Sequence, residues 1–230
     1  MKISFEEKVI NLIIDEIEQL NLYKYRQYYH YNFKNWLPFY WRGYEQSTRY
    51  TYIIEDTKNI DKVYNEFSSN MRKNIRKAQR HVEVFGNLDP KTFYQLNKRT
   101  FERQEIKIPY DYITFENIYS TLSEREQLKI FYAMDKNNEI HSAALFAWDD
   151  SSVYYLMSGS NEKFRSSQSL SLLIFQGIQL ASNLDKKFDF EGSMKIQIER
   201  FFRQFGAKQF PYFDVRKDFN RECGGGLHEK

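Results

Sequence analysis

Cysteine is all but absent from the chain. The single residue, Cys223, lies in a glycine-rich tail, so neither a disulfide framework nor a thiolate metal site can be built. A reducing cytoplasm is therefore the expected setting. No apolar run reaches the roughly 18 residues that a spanning helix needs, and the opening MKISFEEKV does not read as a signal peptide, so no membrane insertion is expected. Charge of one sign is lacking as well. The 34 basic residues exceed the 31 acidic ones by only three, too even a balance for bulk nucleic-acid binding. There is no Ser-His-Asp order, no pair of His ligands and no Walker sequence, so hydrolase, metalloenzyme and nucleotide-hydrolysing chemistry lack support and no metal is expected. What the chain has in quantity is aromatic residues, 18 % of its 230 positions, many of them Tyr. Tyr and Trp can line ligand grooves because they pair an apolar face with a polar tip, although core filling is the commoner use. The length suits one large domain or one and a half small ones, with enough chain to bury a real core.

The stretch that organises the remainder runs from Phe188 to Phe213, FDFEGSMKIQIERFFRQFGAKQFPYF. Phe188 and Phe190 alternate with Asp189 and Glu191, which predicts a strand carrying two carboxylates on one face. Gly192 permits a sharp turn, and Ser193 is a candidate N-cap. Met194, Ile198, Phe201, Phe202 and Phe205 recur at helical spacing, Gly206 suits a left-handed C-cap, and Phe210–Val215 reads as a further strand.

Upstream, apolar residues at Phe5, Val9, Leu12, Ile13, Ile17 and Leu20 predict an amphipathic first helix. An aromatic stretch over residues 23–33 reads as strand, the Trp36–Tyr44 segment as a loop broken by Pro38 and Gly43, and residues 49–54 as strand. One helix is expected over 60–81, its second half cationic (Arg72, Lys73, Arg76, Lys77, Arg80) with no acid between Ser68 and Val82. Asp89-Pro90 opens a helix to residue 104, and 110–123 is helical in pattern. Strands near 128–134, 140–148 and 153–158, joined by short polar turns, form an antiparallel meander. A polar loop then leads to an apolar helix beginning near Leu170. A helix between two strands of one sheet is a crossover, so the Phe188 strand should run parallel to the Val153 strand. The tail from Cys223 should be disordered.

The wording of five segments, YWRGYEQSTRYTYII, SSNMRKNIRKA, YYLMSGS, FDFEGSM and IERFFRQFGA with QFPYF, resembles the FemAB-like branch of the GNAT acyltransferase superfamily over roughly residues 25–216. The resemblance implies an α/β fold with a mixed sheet: a GNAT-like acyltransferase domain at 57–218, a partial and apparently truncated GNAT-like lobe at 1–56, and a disordered tail at 219–230. It implies acyl transfer to an amine from an acyl-coenzyme A, acetyl-coenzyme A first among them, or, as in the FemAB proteins proper, from an aminoacyl-tRNA. The acceptor so implied is a small molecule or an amine of a sugar or peptide precursor of the cell-wall type. The family's phosphate loop usually reads Gln/Arg-x-x-Gly-x-Gly/Ala. Here Arg165-Ser166-Ser167-Gln168-Ser169-Leu170 keeps the leading Arg and replaces the glycines.

Such chemistry needs an amine stripped of its proton, held against an acyl carbonyl, with the oxyanion stabilised. The resemblance places donor binding on Arg165, Ser166, Ser167, Gln168 and Ser169 and at the strand end Met157, Ser158 and Gly159, where a backbone amide would face the oxyanion. Glu191 and Asp189 are the candidate general bases, since paired carboxylates can lift one pKa toward neutrality; capping the next helix or pairing with arginines is the plainer use. His141 is a further candidate base, set against a hydrogen-bonded core histidine on a strand apolar on both faces. Tyr155 is the candidate acid for a leaving thiolate, as in many GNAT enzymes, or an ordinary packing residue. For the acceptor the candidates are Trp41, Arg42 and Tyr44 of the aromatic loop, with Arg72 and Arg76 on the cationic helix as phosphate clamps, as contacts to a tRNA backbone, or as a solvated face. A GNAT-fold scaffold without catalysis is the alternative from another class.

Overall fold

The computed structural model describes residues 2–86 and 88–219, so the tail at Cys223–Lys230 lies outside the described residues. Two compact units emerge, one from residues 2–51 with 209–219 and the other from 52–208.

In the first unit, α1 (Lys2–Gln19) precedes β1 (Lys24–Tyr28), α2 (Leu37–Trp41) and β2 (Glu45–Ile54), and β8 (Lys208–Asp218) returns to it at the carboxyl end. Strand structure stops at Tyr28 rather than continuing to residue 33, because the chain turns, the Phe33 amide reaching back to the His30 carbonyl at 2.8 Å. β1 pairs antiparallel with β8, Arg26 opposite Arg216. α1 buries Ile10 and Ile14 against Phe39, Tyr44 and Val215. Phe5 and Leu12, part of the apolar series read from the sequence, stay exposed, because this helix carries apolar residues on two sides and its unit covers only one.

The second unit takes the end of β2 and then α3 (Ile60–Glu66), α4 (Ser69–Ala78), β3 (Glu83–Phe85), α5 (Pro90–Glu102), α6 (Tyr112–Glu124), β4 (Leu128–Met134), β5 (Ile140–Trp148) and β6 (Ser152–Ser160). A 3-10 segment (Glu162–Ser167), α7 (Ser169–Asn183), β7 (Lys187–Asp189) and α8 (Ile196–Arg203) complete it. The helix expected over 60–81 is two helices. Asn59 caps α3 through the Lys62 amide at 2.9 Å, and Ser68 caps α4 through the Met71 amide at 3.1 Å. Between them Phe67 turns extended, with ψ 145°, and its ring is buried. α8 likewise starts at Ile196, not at Met194. Gly192 and Glu191 both have positive φ, so the turn extends past Ser193, whose Oγ accepts from the Lys195 amide at 3.1 Å.

Strand order within this unit is β2-β7-β6-β5-β4-β3. The β4–β5–β6 meander is antiparallel, and β7 joins β6 in parallel after the α7 crossover, as the sequence predicts. Along β5, Ala144 and Phe146 enter a core with α3, α4, α7 and α8, while Ala143 and Leu145 enter a second core with α5 and α6. The sheet is thus covered on both faces, which explains why β5 is apolar without a break from Ala143 to Trp148. α7 lies directly on it. A Cβ on Gly177 would stand 2.2 Å from a ring carbon of Phe146, so only glycine lets the helix approach this closely.

Candidate active site

β7 is short, and its length shapes the site. It pairs with β6 only at Ser152–Lys187, Val153–Phe188 and Tyr154–Asp189, after which β6 continues to Ser160 paired with β5 and no longer with β7. The two parallel strands part at the Tyr154–Asp189 pair, leaving a fork whose prongs begin with Tyr155 and Phe190. β6 is also bulged. Leu145 pairs with Met157 and Phe146 with Tyr155, so Leu156 is an extra residue that bends the prong and re-aims the backbone beyond it.

A small set of contacts holds this prong. Gly159 presses on α5 so tightly that a Cβ would lie 2.4 Å from the Leu96 carbonyl carbon. Asn97, buried on the apolar face of α5, donates its amide to the Ser158 carbonyl at 2.7 Å and accepts from the Tyr110 hydroxyl at 2.6 Å. Tyr110 also faces the Met157 sulfur at 3.4 Å. Neither Asn97 nor Tyr110 was among the residues expected at the site. The signal was there, a carboxamide among the apolar positions of a helix, because a buried amide must find partners.

The Tyr155 hydroxyl donates to Ser158 Oγ at 2.5 Å. Its ring meets Phe202 edge-on at 6.1 Å, and Phe202 in turn packs on Phe190 at 4.8 Å, so one α8 side chain spans the fork. Burial pushes the Tyr155 pKa up to about 12, and the phenol stays protonated at neutral pH.

Across the fork, Asp189 is buried and accepts the Glu191 amide at 2.8 Å, closing a turn in which Glu191 has φ 60°. The two carboxylates therefore do not share a strand face. The strand ends at Asp189, and Glu191 swings out on a left-handed residue. Desolvation first, and the Asp189 charge second, push the Glu191 pKa up to about 7, while the residue stays open to solvent.

At the other end of the loop, Gln168 takes the left-handed conformation (φ 62°, ψ 22°) that a glycine would occupy in the usual pattern, and it leaves α7 without a side-chain cap. Ser169 is spent on Ser142, Oγ to Oγ at 2.7 Å. Ser167 is buried with its hydroxyl unpartnered among the described residues, whereas Ser166 and Arg165 are exposed. An uncapped N-terminus, an orphaned hydroxyl and an exposed guanidinium fit a phosphate group.

His141 is the extra residue of a second bulge, between the Ala133–Ser142 and Met134–Ile140 pairs. It is buried but not hydrogen-bonded. Both ring nitrogens lack a partner, Nε2 standing 3.4 Å from Asp135 Oδ2 outside bonding geometry, and the ring stacks on Phe164 at 4.1 Å. The register sets it beside Asn161, whose amide bonds to the His141 carbonyl, and not beside the Tyr154–Asp189 pair where the strands part.

The acceptor candidates divide. Arg72, half-buried, donates from Nη1 to the carbonyls of Asn65 (2.7 Å) and Phe67 (2.5 Å) that end α3, so this nitrogen closes a helix. Arg76 is exposed. Trp41, Arg42 and Tyr44 belong to the first unit. There Arg42 pairs with Asp15 and Glu18, and Tyr44 is buried under the Lys217 ammonium, while Trp41 is exposed.

A crossover helix opening from the fork of two parting parallel strands defines an N-acyltransferase. The chain belongs to the GNAT acetyltransferase family: residues 67–193, more than half its length, match the family model for the acetyltransferase (GNAT) domain. Its fold is that of FemX, with a TM-score of 0.71 at 17 % identity over 90 % of this chain and 76 % of FemX. A conserved protein of unknown function from Bacteroides thetaiotaomicron shares the fold at a TM-score of 0.62 and 10 % identity, covering 92 % of this chain and 75 % of that one. L-PGS from Bacillus licheniformis does so at 0.54 and 12 %, covering 94 % and 74 %. No curated protein sequence matches the chain. Among the described residues no helix is long and apolar enough to cross a membrane, and no cluster of His, Cys, Asp and Glu could hold a metal.

Proposed function

We propose that the chain moves an acetyl group from coenzyme A to an amine on a sugar or cell-wall-type precursor, in the manner of the FemAB-like branch and in a cytoplasmic setting. The observation that carries this reading is the fork at Tyr154–Asp189 together with the uncapped start of α7. A thioester lying in the fork would put its pyrophosphate at Ser167, Gln168 and Arg165, and its carbonyl beside the bulged edge of β6.

In this reading Glu191 takes the proton from the acceptor ammonium. A carboxyl with a pKa of about 7 suits the task, since it is half ionised near neutral pH. The amine nitrogen attacks the carbonyl carbon, the C–N bond forms, and an outward amide of the β6 prong steadies the oxyanion. The C–S bond then breaks, the Tyr155 hydroxyl, protonated up to about pH 12, gives its proton to the departing thiolate, and the phenolate so formed takes up the second proton that the new amide nitrogen sheds. Asn97 and Tyr110 position the prong without touching substrate. A second reading, with an aminoacyl-tRNA as donor, is favoured by the fold shared with FemX.

Ligand-dependent melting separates the two. Acetyl-coenzyme A at a hundredfold excess over its dissociation constant stabilises by roughly 2.7 kcal/mol, a rise of a few degrees for a chain of this size. Arg165→Glu, at an exposed position, should shrink that rise. No rise in the parent at millimolar thioester, with tRNA binding that weakens steeply with salt, would replace this reading by the second.

A further inference from the structure

Tyr155 and Ser158 stand three positions apart on β6, a spacing that in a regular strand turns two side chains to opposite faces of the sheet. Here they share a face. Tyr155 lies opposite Phe146, Met157 opposite Leu145 and Ser158 opposite Ala144, so the extra residue Leu156 restores the even count between them. Phe146 and Ala144 both belong to the core with α4, α7 and α8, and the phenol and the serine hydroxyl project to that side together. We propose that Ser158 is the positioning residue for the acid: its hydroxyl fixes the Tyr155 phenol and then turns to donate to the phenolate. Tyr155 owes its role to the acyl-transfer reading, and the role of Ser158 rests on that same reading. It moves Ser158 from donor binding, where the resemblance places it, to the handling of a proton.

The local contacts single out this hydroxyl. Tyr155 donates to Ser158 Oγ at 2.5 Å, and among the described residues neither hydroxyl has another hydrogen-bond partner. The phenol is otherwise set among rings, Phe146 at 5.8 Å and Phe202 at 6.1 Å between centroids. A phenolate left there without a donor would be costly. Serine meets the need because its hydroxyl is donor and acceptor at once and rotates without moving a heavy atom. Burial raises the Tyr155 pKa and the bond to Ser158 works against that rise, the direction expected of a group that steadies the phenolate.

The backbone under Ser158 is held separately. Its carbonyl accepts from Asn97 at 2.7 Å, Asn97 accepts from Tyr110 at 2.6 Å, and Gly159 presses on α5. The hydroxyl is therefore left to Tyr155 alone, and Ser158→Ala leaves that support intact.

The protons balance. Tyr155 gives its proton to the thiolate as the C–S bond breaks, and the Ser158 O–H swings to the phenolate oxygen. When the phenolate takes up the proton shed by the amide nitrogen, the Ser158 hydroxyl returns to accepting. Ser158 itself loses no proton.

The full chain with 3,5-difluorotyrosine in place of Tyr155, a phenol acidic enough to titrate while the protein stays folded, tests the coupling by fluorine NMR. Ser158→Ala should raise the titration midpoint by about one pH unit, whereas a serine that only packs would leave it in place. In the unmodified chain, with acetyl-coenzyme A and an amine, Ser158→Ala should lower kcat about tenfold or more and keep the KM of acetyl-coenzyme A within about twofold. Added to Tyr155→Phe it should cost no more than about a further twofold, because the group it acts through is gone. An unmoved midpoint, or full additivity of the two substitutions, would overturn the proposal. A raised KM with unchanged kcat would also overturn it and return Ser158 to donor binding. A midpoint that moves in a protein releasing no thiol with any amine would contradict acyl transfer instead, and the coupling of the two hydroxyls would stand.

Discussion

The Glu191 amide donates to the Asp189 carboxylate at 2.8 Å, so the two acids of FDFEG are joined through backbone as well as by repulsion. Asp189 is fixed inside and Glu191 is turned outward on a left-handed residue. Division of labour follows: the inner carboxylate shapes the turn and the outer one is free to exchange a proton.

The acyl-transfer rate should therefore rise with pH along a single-ionisation limb centred near 7, the value to which Glu191 is pushed. Glu191→Gln should remove the limb and lower the rate by about 10²–10⁴-fold. Stability has the opposite slope. A carboxyl held above its ordinary 4.5 favours folding at low pH, and that contribution is lost as pH rises from about 4.5 to about 7. The effect on melting should be small because the group is open to solvent. A limb that persists unchanged in Glu191→Gln would assign the base elsewhere.

Tyr155 lies on the other prong with its pKa pushed up to about 12, so no alkaline limb should be seen below pH 10. Tyr155→Phe should cost about a hundredfold in turnover while keeping the acid limb of Glu191 in place. Loss of the acid limb in this variant would mean that the two residues do not act separately.

The β6 prong is seated by contact with α5. Gly159→Ala would drive a Cβ into the Leu96 and Asn97 backbone, 2.4 and 2.5 Å away, and backbone cannot step aside as a side chain tip can. Denaturant titration should show a loss of about 1–3 kcal/mol, together with weaker donor binding as the Ser158 carbonyl leaves Asn97. A stable variant with normal donor binding would show that the prong is not held there.

Arg72 and Arg76 should behave differently despite one turn of separation. Arg72→Ala strips two carbonyls at the end of α3 of their donor and should destabilise by about 1–3 kcal/mol. Arg76→Ala, at an exposed position, should stay within about 0.5 kcal/mol of the parent. Equal effects would contradict the capping role of Arg72.

Much of this was legible in the residues. The alternation at Phe188–Phe190 and the apolar helix before it were enough to place a parallel pair, since a crossover has one favoured hand and direction. The β4–β5–β6 meander followed from its short polar turns. The division of the cationic helix was missed, although Ser68, a favoured N-cap residue three positions ahead of Met71, marked it. What could not be read is where a strand bulges. The extra residues Leu156 and His141 sit in runs whose composition is ordinary strand, and a bulge is set by packing on both neighbours. For the same reason alternation put Glu191 on a strand face that ends two residues earlier. Arg72, finally, carries no mark that separates a helix-closing arginine from a phosphate clamp; only the path of the α3 carbonyls decides it.

Release of free thiol from acetyl-coenzyme A tests the central claim most directly. It would be followed with a panel of amines, including amino-sugar nucleotides and peptide-precursor lysines. Amine-dependent thiol release is expected in the parent, falling at least a hundredfold in Glu191→Gln, whose fold and donor binding should be intact. A protein whose melting temperature responds to acetyl-coenzyme A yet releases no thiol with any amine would contradict acyl transfer at this fork, as would a Glu191→Gln variant that turns over at the parent's rate.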